Sequence, residues 1–372
     1  MTAPSSSRSR ACRGALALCL ALAVAPPLRA ASGSGEIALP DVRPSLASAH
    51  AAQSVLLGLA RAGDRLVAVG ERGLVLLSDD GGADWRQVPV PTSVTLTAVR
   101  FASAKVGWAV GHYGTVLKTA DGGSTWVRQF DGVAAAAAAQ QAALAQQAAA
   151  PDDARARKAV AEAARLVSDG ADKPLLDLWF FDERHGFVVG AYNLIFETHD
   201  GGAHWLPRLD ALDNPRGNHL YAIAGQGDSL VIAGEQGVVF RSDDAGRSFR
   251  RLATPYAGSF FTATWLHSPG TADTLVLAGL RGNAWRSADG GLNWQRIEGL
   301  PPVSLLSAAS DAQGRLWVGN QAGQVFVSRD GGQSVVAAGL PPLPLTQLLS
   351  TPQGLVATTM RGVVRLPQPQ RP

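Results

Sequence analysis

Short apolar runs recur along this chain at a near-constant interval. LVAVG, GWAVG, GFVVG, LVIAG, LVLAG and LWVGN each follow an alternating segment such as LTAVRF and precede a second apolar run such as GTVLKT. Runs this short, alternating and rich in β-branched residues, predict strands. A small turn residue separates the second strand from the third in each copy: Gly73, Gly114, Asn193, Gly237, Gly282 and Gly323. Five residues later comes a polar cluster. The six clusters are SDDGGADW from Ser78, TADGGSTW from Thr119, THDGGAHW from Thr198, SDDAGRSF from Ser242, SADGGLNW from Ser287 and SRDGGQSV from Ser328. A fourth strand, WVRQ in the second copy, follows the cluster. The unit is therefore strand A, strand B, strand C, polar turn, strand D.

The cluster is the Asp-box, Ser/Thr-x-Asp-x-Gly-x-x-aromatic, with Val335 in place of the aromatic in the last copy. Its copies lie mostly about 41 to 45 residues apart, the repeat length of a β-propeller blade. The gap from Thr119 to Thr198 holds one repeat plus an insertion. A seventh copy, LVATTMRGVVRLP with Gly362 in the turn, has no box and stops after strand C. The pattern predicts an all-β, seven-bladed β-propeller over residues 53–366 with Asp-box repeats and one helical-hairpin insertion. The segment EIALP from Glu36, within residues 31–52, is placed to supply the missing strand beside Val363–Leu366 and close the ring. Residues 367–372 are expected to form a disordered tail.

The box chemistry reads as structural. An Asp carboxylate accepts N–H groups of its own turn, and glycine adopts backbone conformations that other residues resist. A catalytic acid is needed once or twice, whereas Asp80, Asp121, Asp200, Asp244, Asp289 and Asp330 recur once per blade.

Arg8, Arg10 and Arg13 precede ALALCLALAVA, an apolar stretch too short to span a membrane, and small residues follow. Residues 1–30 read as a secretory signal peptide, so the remaining chain is expected to be exported, periplasmic or lumenal, and soluble. Cys12 and Cys19, the only cysteines, both fall in that leader, so the exported chain has no thiol chemistry. The formal net charge of +3 includes Arg8, Arg10, Arg13 and Arg29 of the leader, so removing them leaves about −1. With no basic run, no nucleic-acid partner is expected.

Between blades 2 and 3, residues 131–173 break the repeat. The first half is Ala- and Gln-rich with no clear apolar stripe. Pro151 interrupts it, Asp152 and Asp153 suit the start of a second helix, and Val160, Ala163, Ala164 and Val167 share one face of that helix. In a propeller the D–A and B–C connections share one face and the box turns lie on the other. The insertion therefore shares a face with the B–C turns. These carry Arg72, Arg281 and Arg361 at one repeat position, Tyr113 and Tyr192 at the same position in blades 2 and 3, and Gln236 in blade 4. Arg and Tyr are favoured at interfaces, so these five are the partner-binding candidates. Glu71 stands beside Arg72 to neutralise part of the charge. Trp108, Trp179, Trp265, Trp285 and Trp317 fall in strands and read as core. The histidines show no metal-ligand spacing, and no hydrolase, nucleotide-binding or redox motif is present. No catalytic residue, cofactor, metal or small-molecule substrate is expected, and the chain is expected to be a monomer.

The pattern G-x-x-G-x-(I/V/L)-x-x-(S/T)-x-DGG-x-x-W, clearest in VGHYGTVLKTADGGSTW from Val110, resembles the photosystem II assembly/stability factor family across residues 53–366. That resemblance implies a non-catalytic propeller that binds and assists a membrane protein complex. In the family a basic patch is implicated in contacting a reaction-centre protein, and here only Arg72, Arg281 and Arg361 offer a counterpart. The insertion, followed by DKPLLDLWFFDERHGFVVGAYNLIFETHDGGAHW from Asp172, departs from the photosynthetic pattern. It is similar to the non-photosynthetic bacterial branch, which implies a role beside an RND-type exporter. The alternative is a sialidase-like glycan-binding or glycoside-hydrolysing protein. It lacks the early Arg-Ile-Pro segment, and it has only Asp177 and Asp182 near strand A ends to offer as paired carboxylates.

Overall fold

The computed structural model describes residues 38–267 and 273–367. Among them the strands form six four-stranded sheets and one three-stranded sheet, each meandering in chain order. The strands A are Leu56–Ala62, Leu96–Phe101, Leu175–Phe180, Leu220–Gln226, Phe260–Leu266, Leu305–Ser310 and Leu345–Thr351. Each packs beside the next, and the seventh packs beside the first. The chain is a seven-bladed β-propeller with strands A lining the centre. The expected leader, residues 1–30, and residues 368–372 of the expected tail lie outside the described residues.

Position within a blade explains the composition of each strand. Strand B is covered on both sheet faces by neighbouring blades, so Gly107–Gly111 and Gly186–Gly190 are buried throughout. Strand D lies at the rim, and Arg250–Arg251 and Gln295–Arg296 are exposed. The core is therefore a set of apolar layers between blades. Trp108 of blade 2 stacks on Phe180 of blade 3, with ring centroids 3.5 Å apart, and both are buried. The glycine ending strand B marks a close approach: a Cβ on Gly279 would lie 2.1 Å from the Ser259 carbonyl oxygen ahead of its own strand A.

Strand A carries a register irregularity near its start in every blade, as between Leu56 and Gly58 or Leu345 and Gln347. Just past it, a side chain of one blade accepts a backbone N–H from the next. Gln347 Oε1 accepts from Leu59 N at 2.7 Å, Asp177 Oδ2 from Ile223 N at 3.0 Å, Thr262 Oγ1 from Ala308 N at 3.3 Å and Ser307 Oγ from Leu348 N at 2.9 Å. The Thr97 and Thr346 hydroxyls donate to the carbonyls of Leu175 and Leu56 in the following blade, at 2.7 and 2.6 Å. These bonds satisfy backbone groups that the irregular register leaves unpaired.

Ring closure departs from the expectation. Blade 7 keeps three strands among the described residues, and no strand from 38–40 joins it; Glu36 and Ile37 lie outside the described residues. The Pro40 carbonyl instead accepts from Ser93 N at 2.8 Å, in the link between blades 1 and 2. Ser45 N donates to Val90 O at 3.0 Å, and Gln87 Nε2 donates to Leu46 O at 2.9 Å, so this segment runs along the outer strand of blade 1. The third strand of blade 7, Gly362–Arg365, is met by the helical turn Ala51–Gln53, with the Ala52 carbonyl 2.1 Å from where a Gly362 Cβ would stand. That turn crosses Gly362 as the link into strand A crosses Gly73 and Gly282 in other blades, so among the described residues no fourth strand covers the outer edge of blade 7. The ring closes through strands A and through an apolar layer of Leu56, Leu59, Leu66 and Leu76 against Val356, with Leu349 and Val363 beside it.

The insertion forms two helices, α1 (Gly132–Ala149) and α2 (Ala154–Asp169). Asp131 caps the first, accepting from Ala134 N, and Asp153 caps the second, accepting from Arg155 N. The buried face of α2 is the expected one at Val160 and Ala163 but not at Ala164 and Val167. Val167 is exposed, as is Ala164, while Ala156 and Ala163 are buried and Ala159, Val160 and Leu166 partly so. Ala139 and Ala143 of α1 meet Ala163, a small-residue contact that brings the helices close and that an apolar-stripe argument misses.

Candidate partner-binding face

The B–C turns share one backbone solution. Arg72, Tyr113, Tyr192, Gln236 and Arg281 sit at φ of 53°, 58°, 55°, 53° and 56°. This left-handed region favours Gly and Asn and costs an ordinary residue roughly 1–2 kcal/mol. The following residue is also left-handed and must be small because the link to the next blade crosses it: a Cβ on Gly282 would lie 2.0 Å from the Pro301 carbonyl oxygen, and one on Gly73 2.2 Å from that of Thr92. The side chain ahead of it is thereby lifted to the tip of the turn. Arg361 shares the tip position without the left-handed backbone, since Gly362 alone carries the positive φ there.

Arg72, Arg281 and Arg361 are exposed, and none is in an ion pair among the described residues. Glu71 does not neutralise Arg72; its carboxylate accepts from Val55 N at 3.1 Å. Arg361 and Arg72 are in adjoining blades 7 and 1, while Arg281 stands apart in blade 5. Tyr113 is half-buried against the apolar layer between blades 1 and 2. Tyr192 is 55% exposed.

Tyr192 begins an aromatic run that the sequence did not reveal. Its ring meets His219 edge-on at 4.7 Å, His219 meets Tyr221 at 6.0 Å, and Tyr221 meets Phe261 at 5.4 Å, reaching from a turn tip to the strands A. Lys173, at the end of the insertion, lies 5.3 Å above the Tyr192 ring. Burial, and then the Glu235 carboxylate, raises the Tyr221 pKa, keeping that hydroxyl neutral. The hairpin lies on this side: α1 touches the His112–Gly114 turn, and Lys158 Nζ donates to Pro215 O at 3.2 Å. Val133, Leu144 and Val167 are its exposed apolar residues.

The opposite face carries the boxes. In each, the Ser or Thr hydroxyl donates to the Asp and accepts from the second Gly N, as in Thr119 Oγ1 to Asp121 Oδ1 at 2.8 Å and Gly123 N to Thr119 Oγ1 at 2.9 Å. The carboxylate then accepts N–H groups of its own turn. The Ser248 hydroxyl and N–H hold the Asp244 pKa at about 2, the Asn293 N–H and amide hold Asp289 at about 2, and at Asp330 the Ser334 and Ser328 bonds outweigh burial to give about 2. The Asp200 pKa is also lowered, first by His204 N–H; Asp80 by Asp84 N–H; and at Asp121 the Thr125 bonds outweigh burial. Asp182 accepts from Arg184 N and His185 N, and Asp177 is committed to Ile223 N with Arg100 at 3.9 Å, so each of these two carboxylates is held by its own backbone partners.

On this face blade 3 also assembles His185, Glu197 and His199. Sequence spacing gave no hint of this, because His185 and Glu197 are brought together only by the pairing of strands B and C. The visible signal is Glu197 itself, at a strand C position held elsewhere by Leu77, Lys118, Arg241, Arg286 and Val327.

Fold and boxes together define a seven-bladed Asp-box propeller of the BNR-repeat class. The chain belongs to the family described as photosynthesis system II assembly factor YCF48, whose model matches residues 77–145 and 157–297, more than half of the chain. The photosystem II assembly lipoprotein Ycf48 of Synechococcus sp. (strain CC9902) is 42% identical over 77 residues, 21% of this chain and 23% of that protein. The chloroplastic photosystem II stability/assembly factor HCF136 of Oryza sativa subsp. japonica is 33% identical over 82 residues, 21% of this chain and 20% of that protein. The matched stretches thus span less than a quarter of these relatives' own length. Among solved structures, YCF48 bound to D1 peptide superposes with a TM-score of 0.59 at 15% identity, covering 88% of this chain and all of that one. The WD40 propeller domain of Doa1 gives 0.59 at 9% identity over 88% of this chain and 96% of that one, so both likenesses concern the fold. Among the described residues no helix is long and apolar enough to cross a membrane.

Proposed function

We propose that this chain is a non-catalytic, exported propeller that binds a membrane protein complex and assists its assembly or stability. The contact is made by the B–C face: the arginines at 72 and 361, the aromatic run from Tyr192, and the exposed side of the hairpin. The observation that carries this reading is the left-handed backbone at the tips of blades 1 and 3, where strain is accepted to display Arg72 and Tyr192 rather than Gly, with Arg361 at the same tip position in the adjoining blade 7. Family membership supports it, and YCF48 has been solved bound to D1 peptide. On the same reading the partner here is a segment of a membrane protein, from a reaction centre or from an RND-type exporter, and the box aspartates serve as turn staples. Charge at Arg72 and Arg361 sets encounter and register, while the aromatic residues supply affinity. The test is capture of partners from detergent-solubilised membranes by the wild-type chain and by a variant with Arg72→Glu, Arg361→Glu and Tyr192→Ala. Capture of a membrane protein by the wild type, reduced about tenfold or more in the variant at unchanged melting temperature, supports the reading. Equal capture by both refutes the assignment of the face, and hydrolysis of glycosides by the purified chain refutes the non-catalytic role.

A further inference from the structure

We propose that His185, Glu197 and His199 form a divalent transition-metal site on the box face of blade 3. His185 closes the A–B turn just ahead of strand B, Glu197 lies on strand C, and His199 follows that strand. His185 Nε2 is 2.9 Å and His199 Nε2 3.2 Å from the same oxygen, Glu197 Oε1. The three ligand atoms lie within 4.8 Å of one another. Donor atoms about 2.0–2.1 Å from a tetrahedral Zn²⁺ stand roughly 3.3 Å apart, so two of the three separations already approach a coordination shell. The third separation, between the two imidazole nitrogens, is no more than 4.8 Å, and the His199 ring is exposed.

The surroundings orient the set. Glu197 is 3% exposed, and its other oxygen, Oε2, is held by the Arg208 guanidinium, which fixes the carboxylate and leaves Oε1 as a single ligand oxygen. The His185 ring lies against Phe181 at 4.9 Å and against the His199 ring at 4.6 Å, limiting its rotation. Such support around the ligands is what a metal site requires. His199 is 58% exposed, so the shell opens to solvent on one side, leaving room for water or an external ligand. Two imidazoles and one carboxylate suit Zn²⁺, Co²⁺, Ni²⁺ or Cu²⁺ and disfavour Ca²⁺ or Mg²⁺, which prefer all-oxygen shells. The propeller does not need this cluster. At the equivalent positions blade 1 has Arg65, Leu77 and Asp79 and blade 2 has Val106, Lys118 and Ala120, with the same strand pairing. In metal-free protein His185 Nε2 is hydrogen-bonded to Oε1 and His199 Nε2 lies beside it; coordination through Nε2 requires the proton on that nitrogen to move, by exchange with solvent, to Nδ1 of a neutral ring, or to be released to solvent from a ring that is protonated on both nitrogens.

The test uses the untagged chain stripped by chelator, titrated with Zn²⁺ by calorimetry and with Co²⁺ by visible absorption. The expected result is one equivalent of Zn²⁺, a Co²⁺ spectrum of low coordination number, and a rise in melting temperature with Zn²⁺. His185→Ala and His199→Ala should each weaken binding about tenfold or more and abolish the Zn²⁺-dependent rise. His199→Ala is decisive, because an exposed ring can be removed without disturbing the Glu197–Arg208 pair. The absence of saturable binding, or binding that both variants retain at full strength, overturns the site and leaves a carboxylate paired only with histidine and arginine.

Discussion

Replacing Gln347 with Leu tests how the ring is closed. Gln347 Oε1 accepts Leu59 N at 2.7 Å across the junction of blades 7 and 1, and Leu59 is 2% exposed. Leu keeps the bulk and removes the acceptor. An orphaned buried N–H costs about 1–3 kcal/mol. At an unfolding entropy of about 2.1 cal/mol/K per residue, roughly 330 folded residues give about 0.7 kcal/mol/K, so the melting temperature should fall by about 1.5–4 °C. Ser307→Ala is the matched control, since Ser307 Oγ accepts Leu348 N at 2.9 Å between blades 6 and 7. If junction 7–1 is held as the others are, the two variants lose similar stability in calorimetry and in denaturant titration. An unchanged Gln347→Leu beside a destabilised Ser307→Ala would show that another latch holds the ends, and the closure described above would be wrong.

Asp121→Ala removes the acceptor of Thr125 N at 2.9 Å and of the Thr125 hydroxyl at 2.6 Å, and should cost about 1–3 kcal/mol by denaturant titration while leaving partner capture per folded molecule unchanged. The box carboxylates also set acid stability. Their folded pKa values lie below the ordinary 3.8, at about 2 for Asp244, Asp289 and Asp330, so their contribution is complete above 3.8 and is lost as pH falls towards 2. The melting temperature should accordingly drop over that interval, and less steeply in Asp330→Asn; an equal slope would contradict the staple role. Replacing residues 134–169 with a short Gly/Ser link should abolish the helical circular-dichroism signal and cost about 2–3 kcal/mol, since only Ala135 and Leu166 join the apolar layer of blades 2 and 3. Collapse of the β signal would show that the hairpin is needed for the ring.

The blade repeat was legible because its determinants are local: a box turn, a small turn residue and strand periodicity all fall within one unit. The seventh, truncated copy could be counted for the same reason. What joins blades was not legible. The bond from Asp177 to Ile223 N and the stack of Trp108 on Phe180 link residues one whole blade apart, and no pattern within a unit encodes them. The course of residues 38–46 was not legible for a related reason, since the edge of blade 1 competes for that segment with the edge of blade 7. In the hairpin the ends were readable from Pro151 and Asp153, but the packing face only at Val160 and Ala163, because alanine buries closely without making an apolar stripe. At the candidate site, the tip residues were found by position in the repeat. The left-handed backbone that displays them, and the run from Tyr192 to Phe261, arise only when separate blades come together in the folded chain.

Site-specific photo-crosslinking in intact membranes tests the role of the B–C face most directly. A photoreactive residue is placed at Tyr192 on that face or at Leu292, 72% exposed in a box turn on the other. The expected result is a cross-link to one membrane protein from position 192 and none from position 292. Cross-links from 292 alone would contradict the proposed face, and none from either position in membranes that retain the chain would contradict the binding role itself.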